Sequence, residues 1–243
     1  MRFTRMGLIA ALVTTLTLMG GSLAEASHWW NGYKWATTDG VVDLYADVSQ
    51  VQGEWARATG EVIRDWDNAA RVEIDTSPAG KQGMVTVRSA SYGPNGWLGV
   101  AMVSLEGRRI IGGRVLLNEW YWSNGFVTAP QARQHVFCQE VGHVFGLDHQ
   151  DAQSCMNDSP SELGRWLHPN AHDYEQLDAI YRQTDGYNSG TLGGSSRNPQ
   201  RARAAQNWVV VHSYPAPDHR ANDWVAKVWE AVATRPVVSI VQR

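Results

Sequence analysis

The sequence lacks both a charge excess and closely spaced cysteine pairs, and these absences argue against several common functional classes. Its 21 Lys and Arg residues are balanced by 24 Asp and Glu residues, which gives a formal net charge of −3. Nucleic-acid-binding proteins usually carry a basic patch, so the composition favours neither nucleic acid nor an anionic membrane as a partner. Structural zinc sites made of thiolates need cysteines in close pairs, and this chain has only Cys138 and Cys155. A thiolate zinc site is therefore not predicted.

Long apolar runs are also missing, apart from one at the N-terminus. Arg2 and Arg5 precede an apolar run from Gly7 to Met19, and Ala24-Glu25-Ala26 follows as a cleavage signal of the A-x-A type. A membrane anchor is the alternative, but a spanning helix needs roughly 20 apolar residues. We therefore predict a signal peptide over residues 1–26 and a secreted, extracellular protein with no membrane attachment after cleavage.

Export would favour a bond between the two cysteines. Oxidising compartments allow disulfides to persist, and a bridge between Cys138 and Cys155 would close a short loop. The alternative is a pair of free, buried thiols, which is less typical of extracellular proteins. We therefore predict a Cys138–Cys155 disulfide.

Hydrophobic periodicity predicts both helices and strands in the middle of the chain. From Val48 to Ala70, apolar residues recur at steps of three and four with charges between them, which is typical of an amphipathic helix. A second helix is predicted from Pro130 to about Val144, where Gly146 ends it, and a third around 174–181, entered through Pro169-Asn170. Alternation and turn residues predict strands at 41–45, 72–75, 84–89, 97–105 and 110–118.

The C-terminal quarter of the chain has a different composition. Residues 184–206 are rich in Gly, Ser, Asn and Arg and show no periodicity, which predicts a flexible linker. Residues 207–243 are predicted to be a small extension of unknown role. Within it, strands are expected at 207–211 and 237–241 and a helix at 224–233.

The residues best suited to chemistry lie at the end of the second helix. Gln139 and His143 are one helical turn apart and share a face, and Glu140 lies beside them. Glycine at 146 permits a sharp turn closed to other residues, and this turn would bring His149 back toward the same point. Side chains of this kind, directed at one position, suit a metal ion.

This segment resembles the zinc motif of the metzincin metallopeptidases, His-Glu-x-x-His-x-x-Gly-x-x-His, and is most similar to the matrixin branch. The residues that match the motif are Glu140, His143, Gly146 and His149. Gln139 stands where the family has its first histidine. Met156 lies where the family has the methionine of a tight turn below the metal.

The resemblance extends from about Val41 to Arg182 and implies an α+β fold, with a twisted mixed β-sheet, an active-site helix and a C-terminal helix. Residues 27–183 would form the catalytic domain, and its cleft would follow an edge strand at Trp97–Leu105, where an extended peptide can add main-chain hydrogen bonds. The resemblance further implies a monomeric endopeptidase that acts on peptides or proteins with one catalytic Zn²⁺. Glu140 would be the general base, and later the acid, for a water activated by zinc.

The first ligand position remains open at this stage. An amide oxygen is a weaker donor to zinc than an imidazole, so three interpretations stand: Gln139 ligates, His168 or His172 takes its place, or the site binds metal poorly. His135 is less suitable, because it lies two helical turns from His143, about 12 Å along the helix axis. The disulfide would support any of these sites by joining the active-site helix to the Met156 turn.

A function of another class also fits the composition. The chain has 12 Trp residues but only four Phe, and Trp is common at binding surfaces. A catalytically inactive protein with a peptidase-like fold could bind peptides or polysaccharides through exposed Trp. The residues that would contribute are Trp29, Trp30, Trp35, Trp120, Trp122 and Trp166.

Overall fold

The computed structural model describes residues 27–77, 84–190 and 208–217. The predicted signal peptide, most of the predicted linker, and the strand and helix predicted at 237–241 and 224–233 lie outside these residues. None of the helices described is long and apolar enough to cross a membrane.

The described residues form a mixed α+β structure around one sheet. The strands are β1 (Lys34–Trp35), β2 (Val42–Gln50), β3 (Val72–Thr76), β4 (Val85–Ala90), β5 (Trp97–Glu106), β6 (Arg109–Asn118) and β7 (Trp208–Pro215). The helices are α1 (Gly53–Asp67), α2 (Trp120–Ser123), α3 (Ala132–Val144) and α4 (Ala171–Tyr181), with a 3₁₀ turn at Pro160–Glu162. The α+β class with a mixed sheet is thus confirmed, and so are the five predicted strands and the three predicted helices, with shifted ends.

The sheet has the strand order β3-β2-β4-β6-β5-β7, and β1 pairs with one end of β6. The first four strands in this order, β3, β2, β4 and β6, are parallel to one another. Strand β5 is antiparallel to β6, and β7 is antiparallel to β5. The strand predicted at the edge, 97–105, is therefore not at the edge of the described sheet. Residues 208–215, assigned from sequence to a separate extension, cover it instead.

One helix boundary differs clearly from the prediction. The predicted helix at 48–70 begins only at Gly53, because β2 continues through Gln50. A register shift after Asp47 lets Gln50 pair with Arg88 of β4, so the main chain here is used by the sheet. The local hydrophobic pattern cannot predict the pairing of β2 with β4, because β4 lies about 40 residues further along the chain.

Helix α3 lies in the centre of the core, between α1 and strands β5 and β6. Aromatic side chains fix its main chain: the indole N–H groups of Trp66 and Trp35 donate to the carbonyl oxygens of Cys138 and Val144, both at 3.0 Å. A helix enclosed on all sides normally carries apolar residues. The polar residues that α3 carries are therefore exceptional and define the candidate site.

The start of the predicted linker packs against the sheet. The Asp185 carboxylate forms an ion pair with Lys34 at 2.9 Å and accepts a hydrogen bond from Arg109 Nε at 2.7 Å. The main-chain N–H of Ser189 donates to the carbonyl oxygen of Ala36. Lys34 is only 2% exposed, so Asp185 neutralises a buried ammonium group. Burial acts to raise the pKa of Asp185, but the bonds from Lys34 and Arg109 outweigh it and hold the pKa below its usual value.

We expect Asp185→Asn to lower the free energy of unfolding by about 3 kcal/mol at neutral pH, because it leaves the buried Lys34 charge uncompensated. Since the folded-state pKa of Asp185 is depressed, its contribution is present above the unfolded-state pKa and is lost as the pH falls through the folded-state pKa. Urea unfolding should therefore show a difference between variant and wild type that shrinks in acid.

Asp178→Asn is the matched control for this prediction. Asp178 pairs with Arg71 and Arg182, but it is 34% exposed, and exposed pairs contribute about 1 kcal/mol or less. Equal losses for both variants would contradict the role assigned to Asp185.

Candidate active site

Gln139, Glu140 and His143 lie on α3 and are essentially inaccessible to solvent. Gln139 and Glu140 are 0% exposed and His143 is 1% exposed. Burial of polar groups is costly unless they find partners, so three polar side chains within five residues of one buried helix need an explanation beyond packing.

The turn after α3 brings His149 back to this helix. Gly146 has φ of +96°, and a Cβ at this position would lie 2.4 Å from the carbonyl oxygen of Tyr33. Only glycine fits both the left-handed conformation and the close approach. As a result the rings of His143 and His149 lie at a centroid distance of 4.8 Å with an interplanar angle of 84°, as predicted from the spacing.

The hydrogen bonds of His143 fix its tautomer. Its Nδ1 lies 2.8 Å from the carbonyl oxygen of Leu147, which can only accept, so Nδ1 carries the proton. In the neutral ring, Nε2 is then the basic nitrogen, which is the usual arrangement in a metal-binding histidine. Burial lowers the pKa of His143 well below its usual range, and the neighbouring His149 adds to this. The neutral, metal-binding form is favoured.

His149 is oriented by carboxylates. Its Nδ1 lies 3.4 Å from Asp158 Oδ2 and 3.8 Å from Asp148 Oδ1, which favours a proton on Nδ1 and a basic Nε2. Burial lowers the pKa of His149, and the charges of Asp158 and Asp148 oppose this shift. Asp158 was not singled out in the sequence, because a lone acidic residue in a loop gives no signal.

The surroundings of the Gln139 side chain indicate whether a cation suits the candidate site. Its Oε1 and Nε2 are buried, and neither has a hydrogen-bond partner among the described residues. An unsatisfied buried amide costs about 1–3 kcal/mol, and such groups in folded proteins often mark an ion or a water. A cation bound to Oε1 would compensate part of this cost. The donor types of His143, His149 and Gln139 therefore suit a metal ion.

Glu140 projects between α3 and the outer strands of the sheet. Its Oε1 accepts a hydrogen bond from the main-chain N–H of Tyr214 at 3.2 Å. Gly99 of β5 permits this placement, since a Cβ there would lie 2.7 Å from Glu140 Cγ and 2.8 Å from Oε1. Burial raises the pKa of Glu140 well above its usual value, and main-chain N–H groups from Tyr214 and Ala101 act against it.

The predicted disulfide joins helix α3 to the turn that contains Met156. Cys138 and Cys155 are joined by a disulfide, which confirms that prediction. Met156 is fully buried, and its Sδ lies directly against Gly142 of α3. The bridge therefore holds the turn with Met156 against the helix that carries Gln139 and Glu140.

The alternative histidines have other contacts. His168 is half exposed, and its Nδ1 lies 2.9 Å from Asp65 of α1. The ring of His172 lies 4.8 Å from that of His28, tilted by 35°. Asn170 and Asp173 form the capping box that begins α4, in agreement with the predicted entry into this helix through Pro169-Asn170. Within 27–77, 84–190 and 208–217, no three His, Cys, Asp or Glu side chains form a group that could hold a metal, so neither histidine completes a cluster with His143 and His149.

His135 has a structural role. Its Nε2 donates to the carbonyl oxygen of Asn157 and its Nδ1 accepts from the N–H of Gly164, both at 3.0 Å. Burial lowers the pKa of His135, in agreement with a neutral ring that both donates and accepts. His135 thus fixes the loop 157–164 to α3, and its two nitrogens are used by protein.

His28 lies near the site and was not found from the sequence. It is 4% exposed, and its Nδ1 donates to the carbonyl oxygen of Asp148 at 3.0 Å. The main chain of 28–30 also pairs with the turn at 146–148. Since 120 residues separate His28 from Asp148, no local pattern indicates this contact.

None of the six tryptophans proposed as binding residues is fully exposed in the described part of the chain. Trp35 is fully buried, and the other five proposed binding residues are half-buried. Trp120 stacks on the exposed Phe126 at 5.1 Å, and arginines lie over Trp122 and Trp166 at 5.0 and 5.2 Å. The Trp120–Phe126 pair is therefore the aromatic surface on which the alternative binding function would rest.

Comparison with known proteins adds no family assignment: no protein-family model matches the chain, and no curated protein matches it significantly.

Proposed function

We propose that this protein is a zinc-dependent endopeptidase of the metzincin type. The observation that carries the proposal is the convergence of His143 and His149, at a ring distance of 4.8 Å, beside the buried side chains of Gln139 and Glu140. Support also comes from the arrangement of α3 below a mixed sheet and from Met156 packed against that helix. Of these features, the buried Gln139 side chain is the one that packing does not explain, since its polar atoms have no hydrogen-bond partner among the described residues.

The proposed ligands are His143, His149 and Gln139, the last through its amide oxygen. Zinc bound there would polarise the scissile carbonyl and make a water acidic. Glu140 would accept the proton of the attacking water at its carboxylate and later deliver it to the nitrogen of the leaving amine. The contact between Glu140 Oε1 and the main-chain N–H of Tyr214 illustrates that this carboxylate can reach an amide nitrogen of an extended chain.

We further propose that the mature protein is secreted and monomeric. The disulfide supports an oxidising compartment, and the N-terminal run supports export. The substrate class is an extended peptide or protein segment.

Zinc analysis of the purified chain, dialysed without chelator, tests the metal site. We expect about one zinc per wild-type chain, no retained zinc in His143→Ala, and weaker retention in Gln139→Ala, since three protein ligands complete such a site. Gln139→His should bind zinc more tightly than wild type, because imidazole is the better donor.

His168→Ala and His172→Ala are the controls for the ligand assignment. Both should retain zinc like wild type. Loss of zinc in either, with full retention in Gln139→Ala, would assign the third ligand to the loop and contradict the role given to Gln139.

A further inference from the structure

The C-terminal strand β7 lies where an incoming peptide would pair with β5. It runs antiparallel to β5 with Tyr214 opposite Gly99 and Trp208 opposite Ser104. The main-chain N–H of Ala216 adds a bond of 3.0 Å to the carbonyl oxygen of Gly96. Main-chain pairing of this type is how an extended peptide is recognised by a sheet edge.

The side chain of Tyr214 fills a pocket between α3 and the loop 157–164. It is 0% exposed, its ring meets His135 edge-on at 5.7 Å, and its hydroxyl donates to the carbonyl oxygen of Ser159 at 3.4 Å. His135 is held by its own bonds to Asn157 and Gly164, so both walls of this pocket are fixed. A pocket with rigid walls and a ring at its side suits an aromatic residue.

The same residue brings the main chain of β7 to the candidate site. The N–H of Tyr214 donates to Glu140 Oε1 at 3.2 Å, so the Ser213–Tyr214 peptide bond lies next to the proposed general base. One short segment therefore has three properties of a bound peptide: antiparallel pairing, a side chain in a closed pocket, and an amide directed at Glu140.

From these contacts we infer that Trp208–Pro215 is a built-in peptide ligand, and that the groove between β5 and α3 takes extended peptides with an aromatic residue at the position of Tyr214. Such peptides compete with β7 for the groove. The inference rests on the proposed function for the role of the groove in cleavage, whereas its binding part can be tested alone.

The tether to the rest of the chain determines how strongly β7 competes. Seventeen residues, 191–207, connect Gly190 to Trp208 in the sequence, so β7 occupies the groove as part of the same chain, which gives it an advantage over a free peptide. Free peptide should therefore bind the wild-type chain weakly, and weakening of the Tyr214 contact should open the groove.

The test uses the full chain and a fluorescent peptide with the sequence of residues 208–217, in the presence of a chelator so that no cleavage occurs. We expect Tyr214→Ala to bind this peptide at least about tenfold more tightly than wild type, because loss of a buried aromatic side chain weakens the internal competitor. Tyr214→Phe should behave like wild type, since it keeps the ring. A peptide with alanine at the position of Tyr214 should bind none of the three chains. Equal binding of the peptide by wild type and Tyr214→Ala, or equal binding of both peptides, would overturn the inference.

A second measurement on the wild-type chain covers the case in which Tyr214→Ala does not fold. Excess tyrosine peptide should speed hydrogen exchange at the main-chain amides of β7 while those of β5 stay protected. Unchanged exchange at β7 under millimolar peptide would show that the strand is a fixed part of the sheet.

Activity assays separate this inference from the proposed function. If the peptide binds as expected but is not cleaved with zinc present, the groove stands and the catalytic proposal fails. If peptides are cleaved with no dependence on an aromatic residue or on Tyr214, the catalytic proposal stands and the inference about β7 fails.

Discussion

Glu140→Gln is expected to abolish peptide hydrolysis without loss of fold or metal. A positioned general acid and base contributes about 10²- to 10⁴-fold to the rate, and the amide can neither take nor return a proton. The replacement has nearly the same shape, and its Oε1 can still accept the hydrogen bond from the N–H of Tyr214. A quenched fluorescent peptide with zinc present measures kcat, while circular dichroism and zinc analysis report fold and metal.

Glu175→Gln provides the matched control, because Glu175 is an exposed carboxylate on α4. It should keep full activity. Activity of Glu140→Gln near the wild-type level would refute its role in proton transfer. Loss of activity together with loss of zinc would instead show that Glu140 is needed to assemble the site.

The double variant Cys138→Ala/Cys155→Ala is expected to lower the free energy of unfolding by about 3 kcal/mol. The bridge spans a sequence separation of 17, and cross-linking a loop of this length restricts the unfolded chain by about that amount. The folded state is affected too, since the link between α3 and the Met156 turn is lost. Urea unfolding in the presence of a chelator measures the first effect, and zinc titration should show weaker binding.

Chemically reduced wild-type protein shows whether the effect comes from loss of the disulfide bond or from loss of the two sulfur atoms, which the double variant also removes. It keeps both sulfurs in the core, where each cysteine is 0% exposed, so a loss similar to that of the double variant assigns the effect to the bond itself. An unchanged unfolding midpoint in both samples would contradict a stabilising role.

Most of the secondary structure could be predicted because it follows from local patterns. The α3 helix ends near Val144 since Gly146 takes a positive φ, and α4 begins at the Asn170 capping box. The end of β2 could not be predicted, because residues 48–50 fit a helix by periodicity and are held in the sheet by β4. A tertiary pairing outweighs weak local preference in such a segment.

The candidate site was predictable where its residues are close in sequence. Gln139, Glu140 and His143 share a helix, and His149 follows after one turn. Asp158, His28 and Tyr214 complete the surroundings, and they come from a loop, the N-terminal segment and the C-terminal strand. Tyr214 and Glu140 are 74 residues apart, so their contact depends on how β7 pairs with β5.

By itself, then, the sequence determined the helix, the glycine turn, the disulfide pair and the approach of His149 to His143. Each depends on spacing along the chain, and spacing controls which side chains share a face or a turn. The tertiary structure alone decided that β7 covers β5, that Tyr214 fills the pocket beside His135, and that Asp185 neutralises Lys34. Periodicity indicates that a surface is buried but not what buries it, because the partner is selected by the packing of distant segments.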